Sequence, residues 1–363
     1  MVWSQDEFDG EMVFSKMEAA FEQALNRYPE RLREAYYTFA GQPVQMRIVG
    51  PELTKQISLP FSHLLAQEIN MATSRLRIDL WDESETAISR PVSSAGLEDD
   101  FLQSKGYGGY CLIMGSRDDR FVGCQRSQVL TWSDRVAQHI IGCVTSRDQL
   151  SVDERGKPLH FPLLLWHSDQ DTEVIHAGLV AKDGHGVLFA GKENTGKTTA
   201  ALACLGAGFD YLGDDYIGLQ TLADGSFVGY SLYNSTWLMA DHLARFPHLI
   251  PYAIHGEHPG QGKSLVHLPQ VFPCQLAQST RIRAVVLPRM VDGSGTRIRT
   301  ASKGEALLAL APSSIILLPI SRARTLYKLA ELVEQVPCYW LELGRDLESI
   351  PRRVDEILAE VSR

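Results

Sequence analysis

Gly191-Lys192-Glu193-Asn194-Thr195-Gly196-Lys197-Thr198 fits the pattern G-x-x-x-x-G-K-[ST], and its flanks supply the context that pattern needs. Val187-Leu188-Phe189-Ala190 reads as a short buried strand, and Thr199 to Leu205 as the first turns of a helix. Strand, glycine-rich loop and helix in that order aim successive backbone N–H groups and the positive end of a helix dipole at one point. A nucleoside triphosphate is the ligand this predicts. Gly191, Glu193, Asn194, Thr195, Gly196 and Thr199 are expected to wall the phosphate site, Lys197 to add a point charge, and the Thr198 hydroxyl to face Mg²⁺.

Tyr211 to Leu219 resumes as a strand interrupted by Asp214 and Asp215. Adjacent carboxylates in an apolar strand are costly to bury unless positive charge meets them, and Mg²⁺ carried by ATP would do so. In phosphoryl transfer one carboxylate commonly holds the metal while another takes the proton of the attacking hydroxyl. Successive strand side chains point to opposite faces, so both aspartates can serve one site only at a strand end or a bulge. Upstream, Val174 to Val180 reads as a strand and Asp183-Gly184-His185-Gly186 as a turn. So short a turn makes this strand the antiparallel neighbour of the loop strand, a departure from doubly wound folds in which a helix precedes the loop. His176 is then expected to face the phosphate mouth; a hydrogen-bonded core histidine is the alternative.

At 363 residues the chain exceeds one typical core, and two domains are expected, divided at residues 160 and 161. Its 44% hydrophobic and 22% charged residues describe a globular chain. No apolar run approaches a membrane span, and Met1 to Glu7 lacks the basic start and apolar core of a signal peptide, so a cytoplasmic protein is expected. A formal net charge of −9 argues against nucleic acid as partner. Cys111, Cys124, Cys143, Cys204, Cys274 and Cys338 form no C-x-x-C pair, and most sit in apolar segments as reduced core cysteines do, so neither zinc nor a disulfide framework is expected.

The first forty residues read as helical, with Phe14, Met17, Ala20, Phe21, Ala24 and Leu25 at three- and four-residue spacing. Met46 to Val49 and Leu76 to Trp81 read as strands, Glu83 to Tyr107 as loop, and Trp132 to Val144 as a helix. Together these make a small α+β domain with no legible chemistry. Later, Ile282 to Leu287 reads as a buried strand, Leu326 to Val336 as an amphipathic helix, Cys338 to Leu343 as a strand and Ile350 to Val361 as a closing helix.

The block from His176-Ala177 through the loop to Gly213-Asp214-Asp215 resembles the catalytic core of the HPr kinase/phosphorylase superfamily, whose P-loop fold is shared with phosphoenolpyruvate carboxykinase. The likeness is strong over Val174 to Leu219 and weaker to Leu358. Leu232 to Leu238, Lys263-Ser264-Leu265, Leu287-Pro288-Arg289 and Pro337 to Leu341 look like the HPr-kinase-like proteins found beside bacterial peptide-modification genes. The resemblance implies an α/β (α+β) fold: a P-loop core with a mixed sheet, preceded by a smaller α+β domain. It also implies a kinase moving the γ-phosphoryl group of ATP to a serine or similar hydroxyl of a protein, peptide or small molecule. By that resemblance Lys197 and Thr198 bind triphosphate and Mg²⁺, Asp214 and Asp215 supply base and metal ligand with Asp215 beside Thr198 at the metal, His176 lines the phosphoryl site, and a homo-oligomer is expected. The chain departs from the bifunctional enzymes at Asn194, where they carry glycine, at Thr199, where they carry an acidic residue, and in lacking their glycine-rich acidic signature. These departures count against the phosphorylase activity and against HPr itself as acceptor. A catalytically silent ATP-binding regulator is the second reading. A carboxykinase is disfavoured, because no clear metal-binding lysine and histidine lie upstream.

Overall fold

The computed structural model describes residues 9–66, 74–91, 102–106, 109–115, 119–255, 262–318 and 321–361. The chain forms two compact units, Met1–Asp169 and Gln170–Arg363, the division falling after Asp169 and not at residue 160. Each is a mixed α/β unit.

In the first unit α1 (Gly10–Arg27), capped by the Asp9 carboxylate, leads into β1 (Leu32–Phe39), β2 (Gln42–Val49), α2 (Pro51–Ser58), β3 (Leu76–Asp82) and α3 (Glu83–Thr86). β4 (Leu102–Gly106), β5 (Gly109–Gly115), β6 (Phe121–Arg126), β7 (Val129–Asp134) and β8 (His139–Val144) follow, then α4 (Val152–Gly156) and α5 (His160–Asp169). The eight strands form one sheet in the order β1-β2-β3-β8-β7-β6-β5-β4, parallel across β2, β3 and β8 and antiparallel elsewhere. α1 lays Val13, Phe14, Met17, Phe21 and Ala24 against Trp81, Trp132 and Ile141.

Several expectations fail here. Among the described residues of the first forty, α-helix occupies only Gly10–Arg27; the apolar spacing ends at Leu25, Pro29 opens a 3₁₀ turn, and Leu32–Phe39 is strand. Glu83 to Tyr107 contains α3 and β4, with residues 92–101 and Tyr107 outside the described ones. Trp132 to Val144 is no helix but the β7–β8 hairpin, with Trp132 opposite Ile141. Both strands are buried, and β8, with Ile140 and Ile141 adjacent, hides the two-residue alternation that β7 still shows at Leu130, Thr131, Trp132 and Ser133. Cys124 is disulfide-bonded, against the expectation of reduced cysteines, while Cys274 is free and exposed. Strand pairing brings side chains together across distances that spacing along the chain does not show; the Cys111 side chain lies outside the described residues.

The second unit runs β9 (Glu173–His176), β10 (Gly178–Lys182), β11 (His185–Phe189), α6 (Lys197–Gly206), β12 (Asp210–Gly213), β13 (Tyr216–Thr221), β14 (Phe227–Ser231), β15 (Ser235–Met239) and α7 (Ala240–Leu243). Then come β16 (Ile254–His255), β17 (Lys263–His267), β18 (Ser279–Met290), β19 (Arg297–Thr300), α8 (Lys303–Ser314), α9 (Arg322–Gln335), β20 (Cys338–Leu343) and α10 (Ser349–Val361). Nine strands form a mixed sheet in the order β12-β10-β11-β18-β14-β13-β9, with β20 pairing the C-terminal half of β18 and β19 pairing β20. β11, β18 and β20 are parallel, so their carboxyl ends open at one edge. α6 and α10 pack on one face through Ala201, Leu205, Val354 and Leu358; α8 and α9 cover the other through Ala306, Leu310, Leu329 and Val333.

Asp183 and Gly184 turn β10 back antiparallel onto β11, as the short loop requires. Val174 to Val180 is nevertheless two strands. The chain leaves the ladder at Ala177, so that β9 pairs with β13 while β10 pairs with β11. His176 does not stand on the neighbour of the loop strand.

Candidate functional site

Between β11 and α6, residues 190–196 form a loop in which Gly191, Asn194 and Gly196 hold φ of 156°, 63° and 106°. Gly196 precedes the first helical residue, and a Cβ there would stand 2.5 Å from Leu343 Cδ1. Glycine is required by both angle and space. Lys197 opens the helix with its side chain folded back, Nζ donating to the carbonyls of Gly191 at 2.7 Å and Lys192 at 2.9 Å. Burial pulls this ammonium below the usual lysine range, opposed by the charges of Asp215, Asp214 and Glu193 in that order. Thr195 ties the loop by donating to the Lys192 carbonyl, Glu193 pairs with Lys263 at 2.9 Å, and Thr199 is buried.

Asp214 and Asp215 fall in the break between β12 and β13, the strand end that joint service demands. Their surroundings differ. Asp214 is buried and accepts hydrogen bonds from Tyr211 Oη at 2.9 Å and Thr236 Oγ1 at 2.7 Å, with the Thr198 hydroxyl as a third donor. Burial raises its carboxyl above the usual carboxylate range and the Asp215 charge adds to this, while the bonds from Thr236, Tyr211 and Thr198 oppose it. Asp215 keeps 29% of its side chain exposed and places Oδ1 3.0 Å from His176 Nε2. The backbone locks this pair: Ala177 N donates to the Asp215 carbonyl, His176 N donates to Ser314 Oγ, and β9 sets His176 opposite Tyr216.

Lys197, Thr198, Asp214, Asp215 and His176 thus converge, though His176 arrives through β9 and β13. Sequence reasoning assigned no role to Tyr211, Thr236 or Ser314. Tyr211 could have been flagged as a polar ring three residues before a buried carboxylate; the other two are placed by long-range packing alone. The metal expectation sets Asp215 beside Thr198, whereas the Thr198 hydroxyl donates to Asp214.

Across the loop from the aspartates, at the carboxyl ends of β18 and β20, lies a cavity of about 370 Å³ lined by Arg245, Met290, Val291, Asp292, Gly344 and Arg345. Met290 Sδ is 3.4 Å from the position a Gly196 Cβ would take, so cavity and loop adjoin. Carboxyl ends of parallel strands are where open α/β sheets hold ligands.

No protein-family model and no curated protein matches the chain. Among solved structures, the HPr(Ser) kinase/phosphatase from Coxiella burnetii is similar over 52% of this chain and 95% of its own, with 14% identity and a TM-score of 0.27. At that score the likeness bears no weight in the functional reading, which stands on the geometry.

The residues present suit magnesium. Among the described residues no three His, Cys, Asp or Glu side chains group as a self-sufficient metal site. Mg²⁺ carried by a nucleotide needs only one or two protein oxygens, the remainder coming from phosphates and water. The Thr198 hydroxyl and a carboxylate oxygen of the Asp214–Asp215 pair would supply them. Among the described residues no helix is long and apolar enough to cross a membrane.

Proposed function

We propose that Gln170–Arg363 binds ATP with Mg²⁺ and transfers the γ-phosphoryl group to a hydroxyl of a protein, peptide or small molecule, in the manner of an HPr-kinase-like serine kinase. The observation that carries the reading is the divided carboxylate pair beside the loop: Asp214 saturated by Tyr211, Thr236 and Thr198, Asp215 half open and held by His176. A protein that merely held nucleotide would need the loop and one carboxylate.

Backbone N–H groups of residues 191–197 and the α6 dipole would receive the β- and γ-phosphates, and Lys197 would exchange its loop carbonyls for phosphate oxygens. The cavity beside Gly196, on the flank away from the aspartates, would take the nucleoside end. When bound, Mg²⁺ neutralises phosphate charge as the leaving oxygen develops it. Asp214 fixes the Thr198 hydroxyl; Asp215 accepts the proton of the attacking hydroxyl, with His176 holding the carboxylate in place. The acceptor oxygen bonds to the γ-phosphorus, the bond to the β-phosphate oxygen breaks, and ADP leaves.

Incubation with γ-labelled ATP and candidate acceptors tests this. Label should appear in a hydroxyl acceptor, and Lys197→Ala should abolish that transfer and weaken ATP binding in calorimetry while the fold survives. ATP bound with no label transferred to any acceptor would reduce the unit to a nucleotide-binding regulator.

A further inference from the structure

The far edge of the nine-stranded sheet carries positive charge that the phosphoryl chemistry leaves unused. Strand register sets Arg289, Glu342 and Arg297 in one row across β18, β20 and β19, and Leu287, Trp340 and Arg299 in the row two residues along. Residues two apart on a strand share a face, so the three arginines, Glu342 and Trp340 lie on one face of the sheet. Arg289 and Arg299 lie over the Trp340 ring, 5.0 and 5.5 Å from its centre. Arg289 hydrogen-bonds Glu342, and Arg299 Nε is 3.6 Å from the same carboxylate. Glu305 accepts from Trp340 Nε1 and faces Arg299, while Lys303 donates to the carbonyls of Glu334 and Val336 nearby. Three arginines therefore meet two carboxylates, in a chain whose formal net charge is −9. Arg289 and Arg299 remain 43% and 50% exposed.

Among the described residues β19 pairs only with β20, and its side chains are mostly exposed, which leaves its outer backbone groups open. An open edge can add a strand from another chain, through main-chain hydrogen bonds with side chains setting the choice of partner. Arginines on that edge disfavour cationic strands and favour anionic ones.

The patch also lies within reach of the reacting groups. Arg289 precedes Met290, which adjoins the loop at Gly196. On the face of the patch, α8 starts at Trp340 through Glu305 and ends at Ser314, which accepts from His176 N. Nine residues of helix separate these ends, a rise of about 14 Å, which four or five extended residues cover.

We propose that the face of Arg289, Arg297, Arg299 and Trp340 docks an acidic segment of a peptide, paired along β19, whose hydroxyl residue a few positions away is the phosphoryl acceptor. The acceptor role rests on the kinase reading; the docking itself needs no nucleotide.

Fluorescence anisotropy on the full chain, without nucleotide, reads the docking directly. Its probes are a labelled peptide of glutamates around one serine, the same peptide with glutamine for glutamate, and a labelled single-stranded oligonucleotide. The glutamate peptide should bind at least tenfold more tightly than the glutamine peptide and than the oligonucleotide. Arg297→Glu with Arg299→Glu should weaken it at least tenfold with ATP affinity unchanged; the milder Arg297→Gln with Arg299→Gln reports the same loss should charge reversal unfold the chain. Equal binding of the two peptides, tighter binding of the oligonucleotide, or full binding by the substituted chains would overturn the proposal. Peptide binding without any transfer of label would sink the kinase reading and leave the docking face standing. Equal rates of label transfer to the glutamate and glutamine peptides would do the reverse.

Discussion

Two neighbouring aspartates with one chemistry between them behave differently because only one has been taken out of water. Asp214 loses solvent and gains three hydroxyl donors, each bond to a charged group worth about 1.5–3 kcal/mol against a desolvation cost of similar size. Its carboxyl nonetheless sits above the usual 3.8, so burial and the Asp215 charge outweigh the bonds. A carboxyl raised on folding binds its proton more tightly folded than unfolded. The stability it contributes is complete below 3.8 and is lost as pH rises through the folded value. At neutral pH burying this carboxyl therefore costs the apoprotein stability. Asp214→Asn should melt at or above the wild-type temperature at pH 7 without nucleotide, the gap closing in acid. Asp215→Asn, partly exposed, should change melting little yet slow label transfer by about 10²–10⁴-fold, the usual contribution of a general base. Melting curves and transfer rates on the same two proteins decide it: a large stability loss with activity falling only in step with folded protein would make the pair structural.

At the scale of elements the loop between β11 and α6 depends on backbone angles no other residue tolerates well. Gly196→Ala forces a side chain into φ of 106° and against Leu343, a strain of about 1–3 kcal/mol placed where phosphate would bind. Gly208, at φ of 92° with open space around it, is the control. Gly196→Ala should lose ATP affinity out of proportion to its loss of stability, whereas Gly208→Ala should lose only stability; parallel calorimetry and melting would show otherwise if both lost affinity alike. The same contrast explains what could be read from the chain alone. β11, the loop and α6 were legible because a phosphate cradle is local, built from one stretch of backbone. α9, β20 and α10 were legible because each carries its own period, helical or alternating. Trp132, Val136, Ile140 and Val144 recur every fourth residue and so imitate a helix, yet Val136 is 74% exposed at the hairpin turn and the pairing of Trp132 with Ile141 decides the strands. His176 is expected at the phosphate mouth as a neighbour of the loop strand, whereas the ladder between β9 and β13, and the departure at Ala177, bring it to Asp215. Tyr211, Thr236 and Ser314 reach the site across folds of chain that no local pattern records.

Across the whole molecule, each unit holds a buried histidine whose charge the fold refuses. His167, on α5 between Phe39 and Trp166, has its pKa pushed down to about 3 by burial, and His267 at the end of β17 to about 4. Neither Nδ1 has a hydrogen-bond partner among the described residues. A histidine depressed on folding contributes stability that is complete above its unfolded value of 6.5 and declines as pH falls toward the folded one, because the unfolded chain takes up a proton that the folded chain does not. By about pH 4.5 each should have removed about 2–3 kcal/mol, two pH units at 1.36 kcal/mol apiece. Denaturant titrations at pH 7 and about pH 4.5 measure that loss as a difference, so any constant packing cost of a substitution cancels. His167→Phe and His267→Phe should each flatten the decline by their own share, whatever they do to stability at pH 7. Variants whose stability falls with pH in parallel with the wild type would show instead that both rings are protonated inside the fold, with a partner that the burial of their Nδ1 atoms gives no sign of.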